Sequence, residues 1–239
     1  MYGSWVLILI ILISSLPVIA VYIWFRVAKY QFSLVRFLFA LLIGAAAFFP
    51  ALILQDLLYF SFSARSRMEI FYHVFVRIAF TEELSRLLML FVFFWISGLV
   101  KQDGSLGQPF ASNIIKRGAA IGLVAGIGFA FFENAVYAAS DANVLLLRVI
   151  TTAPLHAACG SRVGTAAVLF PNNPIKAFFR LLTATIIHGV YNFMVTMPGF
   201  LSVIAVLIAL SALVSSILTI STGRENPQSD VVPQIKTDT

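Results

Sequence analysis

Two adjacent glutamates interrupt one of the most apolar stretches of this chain. Glu82 and Glu83 lie in the segment AFTEELSRLL, and Arg86 follows them at spacings of four and three residues. On a helix either carboxylate can pair with that guanidinium, which leaves the other carboxylate over. Adjacent carboxylates in a medium of low dielectric constant differ in proton affinity, so one can act as a base while its neighbour holds a proton. The pattern indicates general acid–base chemistry beside an ion pair.

A third carboxylate occurs in the segment GAAIGLVAGIGFAFFENAVYAA. Gly122 and Gly126 precede Glu133 by eleven and seven residues, which puts all three near one face of a helix. Small residues on such a face let another helix approach closely. Glu133 is therefore predicted to point into a helix bundle, with Asn134 and Tyr137 as supporting side chains.

Two histidines occur in two further apolar segments. His156, in APLHAACG, is followed at helical spacing by Gly160 and Gly164. His188, in IIHGVYNF, lies four residues before Asn192, whose side-chain amide could orient the imidazole. Each histidine alone is as typical of packing as of function. Because four separate segments each carry an ionisable group, a shared site is the stronger interpretation.

Such a set of carboxylates and imidazoles can activate water and stabilise an oxyanion, which suits peptide hydrolysis. The same residues could instead hold a divalent metal, with His156, His188 and Glu133 as ligands and an open position for water. The chain has no His-Glu-x-x-His motif, no obvious nucleophilic serine or threonine and no aspartate in the middle of an apolar segment. These absences argue against the usual metalloprotease, serine and aspartyl forms of cleavage within a membrane.

The elements that position these groups are predicted from composition and hydropathy. The 239 residues are 60% hydrophobic and 11% charged, with a mean hydropathy of +0.97, which is typical of a polytopic membrane protein. Apolar runs long enough to cross a bilayer as helices predict an all-α transmembrane bundle of about seven spans. These are residues 5–25, 34–54, 70–99, 118–138, 145–170, 177–197 and 201–220, and the long third span is expected to be tilted or broken.

The charges predict orientation and domain organisation. Most lysines and arginines lie at the edges of the apolar runs, after the first, third, fifth and seventh spans, which indicates an N-terminus outside and a C-terminus in the cytoplasm. The same scatter argues against nucleic acid as a partner, despite the net charge of +6. The single cysteine, Cys159, excludes a multi-cysteine metal site. We expect one membrane domain over residues 1–221 and a disordered cytoplasmic tail over 222–239.

The motifs resemble, in their order along the chain, those of the PrsW intramembrane proteases, which are related to the CAAX-processing endopeptidases. The resemblance rests on EELSR at 82–86, GFAFFENAVY at 128–137, APLHAACG around His156 and HGVYNF at 188–193. It implies catalytic roles for Glu82, Glu83, Glu133, His156 and His188. It also implies a bacterial inner-membrane location and a single-span membrane protein substrate, such as an anti-sigma factor. Arg86 stands where the family pattern leads us to expect lysine.

We therefore expect an intramembrane endopeptidase of the glutamate type, in which Glu82 or Glu83 activates water and Glu133 relays the proton. His156 and His188 would stabilise the oxyanion, with Arg86, Asn134, Tyr137 and Asn192 in support. No cofactor is expected, although a divalent metal such as zinc stays open. The alternatives are a protease for prenylated proteins, a proton-coupled transporter and an inactive scaffold.

Overall fold

The computed structural model describes residues 4–30, 32–60, 67–99, 112–197 and 199–221, and these ranges are helical without strands. The predicted all-α fold is therefore confirmed, while the predicted disordered tail, 222–239, lies outside the described residues. A short 3₁₀ turn (Ala142–Val144) joins two of the helices. The helices are α1 (Ser4–Val27), α2 (Leu34–Ala46), α3 (Phe48–Leu57), α4 (Arg67–Phe71), a π-helical segment (Tyr72–Phe80), α5 (Thr81–Ile96), α6 (Ser112–Ser140), α7 (Leu145–Leu169), α8 (Pro174–Val195) and α9 (Leu201–Ser221).

Five helical segments of the described chain are long and apolar enough to cross a membrane. They correspond to the first, second, fourth, sixth and seventh predicted spans. The third predicted span is helical but divided among α4, the π-helical segment and α5, and the fifth is α7. Helix α7 is largely enclosed by other helices and rich in small residues, as is typical of helix interfaces in membranes. The five segments are Trp5–Val27, Leu34–Leu57, Asn113–Ser140, Pro174–Val195 and Leu201–Ser221.

Helices α6 and α7 pack backbone against backbone along a seam of glycines, as their spacing predicts. A Cβ atom added to Gly126 would collide with the carbonyl of His156. A Cβ on Gly122 would likewise collide with the carbonyl of Gly160. We call these glycines, with Gly164, the glycine seam. Because no side chain separates the two helices there, the seam fixes the position of α7 relative to α6.

The second apolar segment bends at Ala47, between α2 and α3. Pro50 has no N–H to donate to the carbonyl of Ala46, and its ring crowds that carbonyl, so the helix is interrupted one turn before the proline. The carbonyl of Ala47 accepts a hydrogen bond of 2.6 Å from the hydroxyl of Ser85 on α5. That carbonyl also accepts the N–H of Ala51 over 3.3 Å. The bend is thereby bonded to α5, and Gln55, two turns further along α3, reaches Glu82.

The π-helical segment ends one residue before the glutamate pair, so the third predicted span changes its winding there but is not broken. The hydroxyl of Thr81, the first residue of α5, donates to the carbonyl of Arg77 over 2.6 Å. On the facing helix, Gly189 leaves room for the ring of Phe75, which a Cβ at that position would meet. Wide turns of this kind occur frequently at functional sites. Here the segment sets the rotation at which α5 presents its first turn to α8.

Candidate active site

The structure brings together all five ionisable residues predicted to be catalytic. Glu82 and Glu83 begin α5, and Glu133, His156 and His188 lie on α6, α7 and α8. None of the five is more than 8% exposed. A cluster of ionisable groups buried this deeply is stable only when its members satisfy one another or a bound ion.

One row of contacts runs from an arginine through a carboxylate to a histidine. The Oε1 atom of Glu83 accepts a hydrogen bond from Arg86 and lies 2.7 Å from Nδ1 of His188. Arg86 is fully buried, its guanidinium carbon lies 4.6 Å from the centre of the Phe129 ring, and it also donates to the carbonyl of His156. Because an ionised carboxylate only accepts, His188 donates from Nδ1, and in the neutral ring its Nε2 atom keeps a lone pair.

A second row repeats this order on α6 and α7. The Oε2 atom of Glu133 lies 2.7 Å from Nη2 of Arg148 and 2.9 Å from Nε2 of His156. His156 therefore donates from Nε2, and its Nδ1 atom keeps a lone pair that has no hydrogen-bond partner among the described residues. We call these two rows the Arg–Glu–His triads. They hold the two imidazole rings at right angles, with their centres 5.0 Å apart.

Glu82 lies between the triads without belonging to either. Its Oε1 atom accepts a hydrogen bond of 3.3 Å from the side-chain amide of Gln55. Its Oε2 atom lies 3.8 Å from Nε2 of His188 and 3.9 Å from Arg86, and it has no hydrogen-bond partner within the described ranges. In the described site three carboxylates face only two guanidiniums. Glu82 therefore shares Arg86, at 3.9 Å, with Glu83.

Glu82, His156 and His188 could hold a metal ion. Each offers a ligand atom, and the three atoms lie within 4.8 Å of one another. The set differs from the one predicted from sequence. Glu133 is hydrogen-bonded to Nε2 of His156, and Glu82 supplies the third ligand atom. Two histidines and one glutamate, with a carboxylate on the second nitrogen of each histidine, form a donor set typical of catalytic zinc. The unpartnered oxygen of Glu82 and nitrogen of His156 fit such an ion.

Of the predicted supporting residues, Asn134 and Tyr137 contact the second triad, whereas Asn192 does not have the predicted role. The Oδ1 atom of Asn134 accepts hydrogen bonds of 3.0 Å from both Arg148 and Thr152, and the ring of Tyr137 lies 3.9 Å from the guanidinium of Arg148. Both therefore act on the second triad. Asn192 was predicted to orient His188, but that contact comes from Glu83, and within the described chain no hydrogen bond joins Asn192 to His188.

Sequence reasoning missed two residues of the site. Arg148 was not predicted as a site residue, yet it lies in the first turn of α7 and pairs with Glu133. Its position eight residues before His156, with Thr152 halfway between them, is a helical spacing that could have identified it. Gln55, which directly follows the second predicted span, was not predicted as a site residue either. Only the fold shows that it reaches Glu82, because the bend at Ala47 is not visible in the hydropathy pattern.

Comparison with protein families adds independent information. A family model described as "PrsW family intramembrane metalloprotease" matches residues 33–218, which is more than half of the chain and contains the whole site. The chain has no significant match among curated proteins or solved structures.

Proposed function

Because this chain belongs to the PrsW family of intramembrane metalloproteases, we propose that it cleaves a single-span membrane protein, such as an anti-sigma factor, in regulated proteolysis. That it is a multi-pass membrane protein and an intramembrane protease follows from its apolar helices and its family. The substrate class and the roles of individual residues are the proposal.

The convergence of Glu82, His156 and His188 is the observation that carries the mechanism. We propose that these three side chains hold a divalent metal of the zinc class. When bound, such an ion acidifies a coordinated water and polarises the substrate carbonyl. The unpartnered oxygen of Glu82 and the lone pairs directed by the triads support this assignment.

The remaining residues orient ligands and move protons. Glu133 fixes His156, and the guanidinium of Arg148 keeps that carboxylate ionised. Glu83 fixes His188 through one oxygen, while its Oε2 atom has no hydrogen-bond partner among the described residues. We assign to that oxygen the proton lost by the attacking water. As the water oxygen bonds to the carbonyl carbon and the C–N bond breaks, Glu83 returns the proton to the leaving amine.

We also propose a bacterial inner-membrane location with the N-terminus outside and the C-terminus in the cytoplasm. Basic residues gather where α1 ends and where α2, α6 and α8 begin, which supports this orientation. At the other end of the bundle Arg77 and Arg148 are engaged inside the protein, with the carbonyl of Gln55 and with Glu133. They therefore count little as orientation signals.

The proposal is tested by comparing protein termini in membranes of cells that express the wild type or the variant Glu82→Gln, Glu83→Gln at equal levels. We expect new termini in or beside a transmembrane segment with the wild type only. The control variant Asp56→Asn, Asp141→Asn neutralises the same number of carboxylates at exposed positions and should cleave like the wild type. Identical terminus profiles for the wild type and the glutamine variant, with both folded, would contradict the proposal.

A further inference from the structure

The turn between α1 and α2 lines an open surface cavity of about 510 Å³ that is separate from the proteolytic site. Ile10, in the first half of α1, packs beside Ala138 and Leu145 at the junction of α6 and α7. The end of α1 therefore lies at the opposite end of the bundle. The cavity is lined by Arg26, Lys29, Tyr30, Phe32, Ser33 and Arg36.

The charge around this cavity is positive and uncompensated. Arg26, Lys29 and Arg36 are exposed, and none of them forms an ion pair within the described ranges. The first acidic residue of the whole chain is Asp56, so α1, the turn and α2 contain no carboxylate. Three cations around one cavity repel one another unless an anion lies between them.

The turn that carries these cations is well packed. Lys29 has a φ of 52°, a left-handed conformation that a non-glycine residue keeps only when its surroundings impose it. The ring of Phe25, which is buried, stacks on that of Tyr30 at 5.3 Å, and the Phe32 ring lies at the same distance from it. The hydroxyl of Ser33 accepts the N–H of Arg36 and caps α2. The backbone that carries these exposed cations is thus fixed before any ligand arrives.

We propose that this cavity binds the phosphate group of an anionic phospholipid. Guanidinium groups bind phosphate oxygens with paired hydrogen bonds, and the lysine adds a point charge. The cavity lies where two membrane-crossing helices end, which is the depth of lipid headgroups. Tyr30 of the turn is of the type that lies at this boundary. A lipid is therefore favoured over free phosphate as the source of the anion.

The test is a titration of the purified full-length protein with phosphatidylglycerol or phosphatidylcholine of the same acyl chains, followed by native mass spectrometry. We expect the wild type to retain phosphatidylglycerol and not phosphatidylcholine. The variant Arg26→Gln, Lys29→Gln, Arg36→Gln should lose affinity by on the order of 100-fold, because each cation near a lipid surface contributes about fivefold. The control Lys116→Gln, Arg117→Gln, Lys176→Gln removes the same charge elsewhere and should bind like the wild type.

Three results would overturn the proposal. Equal losses in the two triple variants would show diffuse charge and no defined site. Inorganic phosphate that competes at the same concentration as the lipid would show a site for soluble anions. Equal retention of both lipids by the wild type would overturn the proposal even if the triple variant failed to fold.

Discussion

Each histidine of the site is fixed on one side and open on the other. The carboxylate of a triad takes the N–H of the ring, and its arginine keeps that carboxylate charged. Both open nitrogens therefore present lone pairs, and Glu82 adds an oxygen. This arrangement explains why the chain uses three buried glutamates where one would suffice as a base. Two of them hold histidines.

At the scale of single residues, we expect the zinc content of variants to distinguish the ligands from the residue that orients a ligand. His156→Ala and His188→Ala should each abolish stoichiometric zinc in the purified protein, because each removes a proposed ligand. Glu133→Gln should weaken zinc affinity by roughly 10- to 100-fold, the usual effect of losing the partner of a metal-bound histidine. The measurement is elemental analysis after dialysis against graded chelator. Unchanged zinc content in all three variants, or none in the wild type, would refute the assignment.

Gln55 should tune Glu82 without being needed for folding. Gln55→Leu removes the hydrogen bond to Oε1 of Glu82, and we expect kcat/KM to fall on the order of tenfold, or about 1.4 kcal/mol. Gln55→Glu should be worse, because it adds a like charge beside Glu82. Steady-state kinetics on a reconstituted substrate measure both. The adjacent Asp56→Asn serves as the control, and equal rates for it and Gln55→Leu would mean that Gln55 has no such role.

At the scale of elements, the glycine seam sets the distance between the second triad's two halves. Gly126→Leu would drive a side chain into the backbone at His156, and we expect a destabilisation of about 3 kcal/mol or more, beyond the usual range for overpacking because backbone must move. Thermal unfolding in detergent measures the change. Ala139→Leu, at an exposed position on the same helix, should have little effect. A Gly126→Leu protein as stable as that control would show that α6 and α7 are not held by the seam.

At the scale of the whole molecule, the orientation can be read with a thiol probe. The single cysteine, Cys159, is fully buried and should not react with a membrane-impermeant maleimide. Asn143→Cys lies at the junction of α6 and α7, and Asn172→Cys lies between α7 and α8. We expect the first to be labelled in intact cells and the second only after permeabilisation. The reverse pattern would invert the proposed topology.

The five buried ionisable residues and the helices that carry them could be predicted from the sequence. A charged group in an apolar helix is expensive, so Glu82, Glu133 and His188 were conspicuous. The residues that pair with them from other helices were not conspicuous in the sequence. Arg148 and Gln55 were not predicted as site residues, because which residues meet depends on the rotation of each helix and on the bend at Ala47. The same cause explains why Glu82, and not the predicted Glu133, is among the candidate metal ligands.

The glycine seam also divides the site into a rigid and a movable half. Glu133 and His156 are joined through two backbones in contact and cannot separate without breaking that packing. Glu82 and Glu83 instead follow a π-helical segment, and Gln55 follows a bend. A membrane-embedded substrate needs an entrance between helices, and we expect it on the side of α3 and the π-helical segment, where no glycine of the described chain brings two backbones into contact. Glu82 would then move as the substrate enters and would also take part in catalysis.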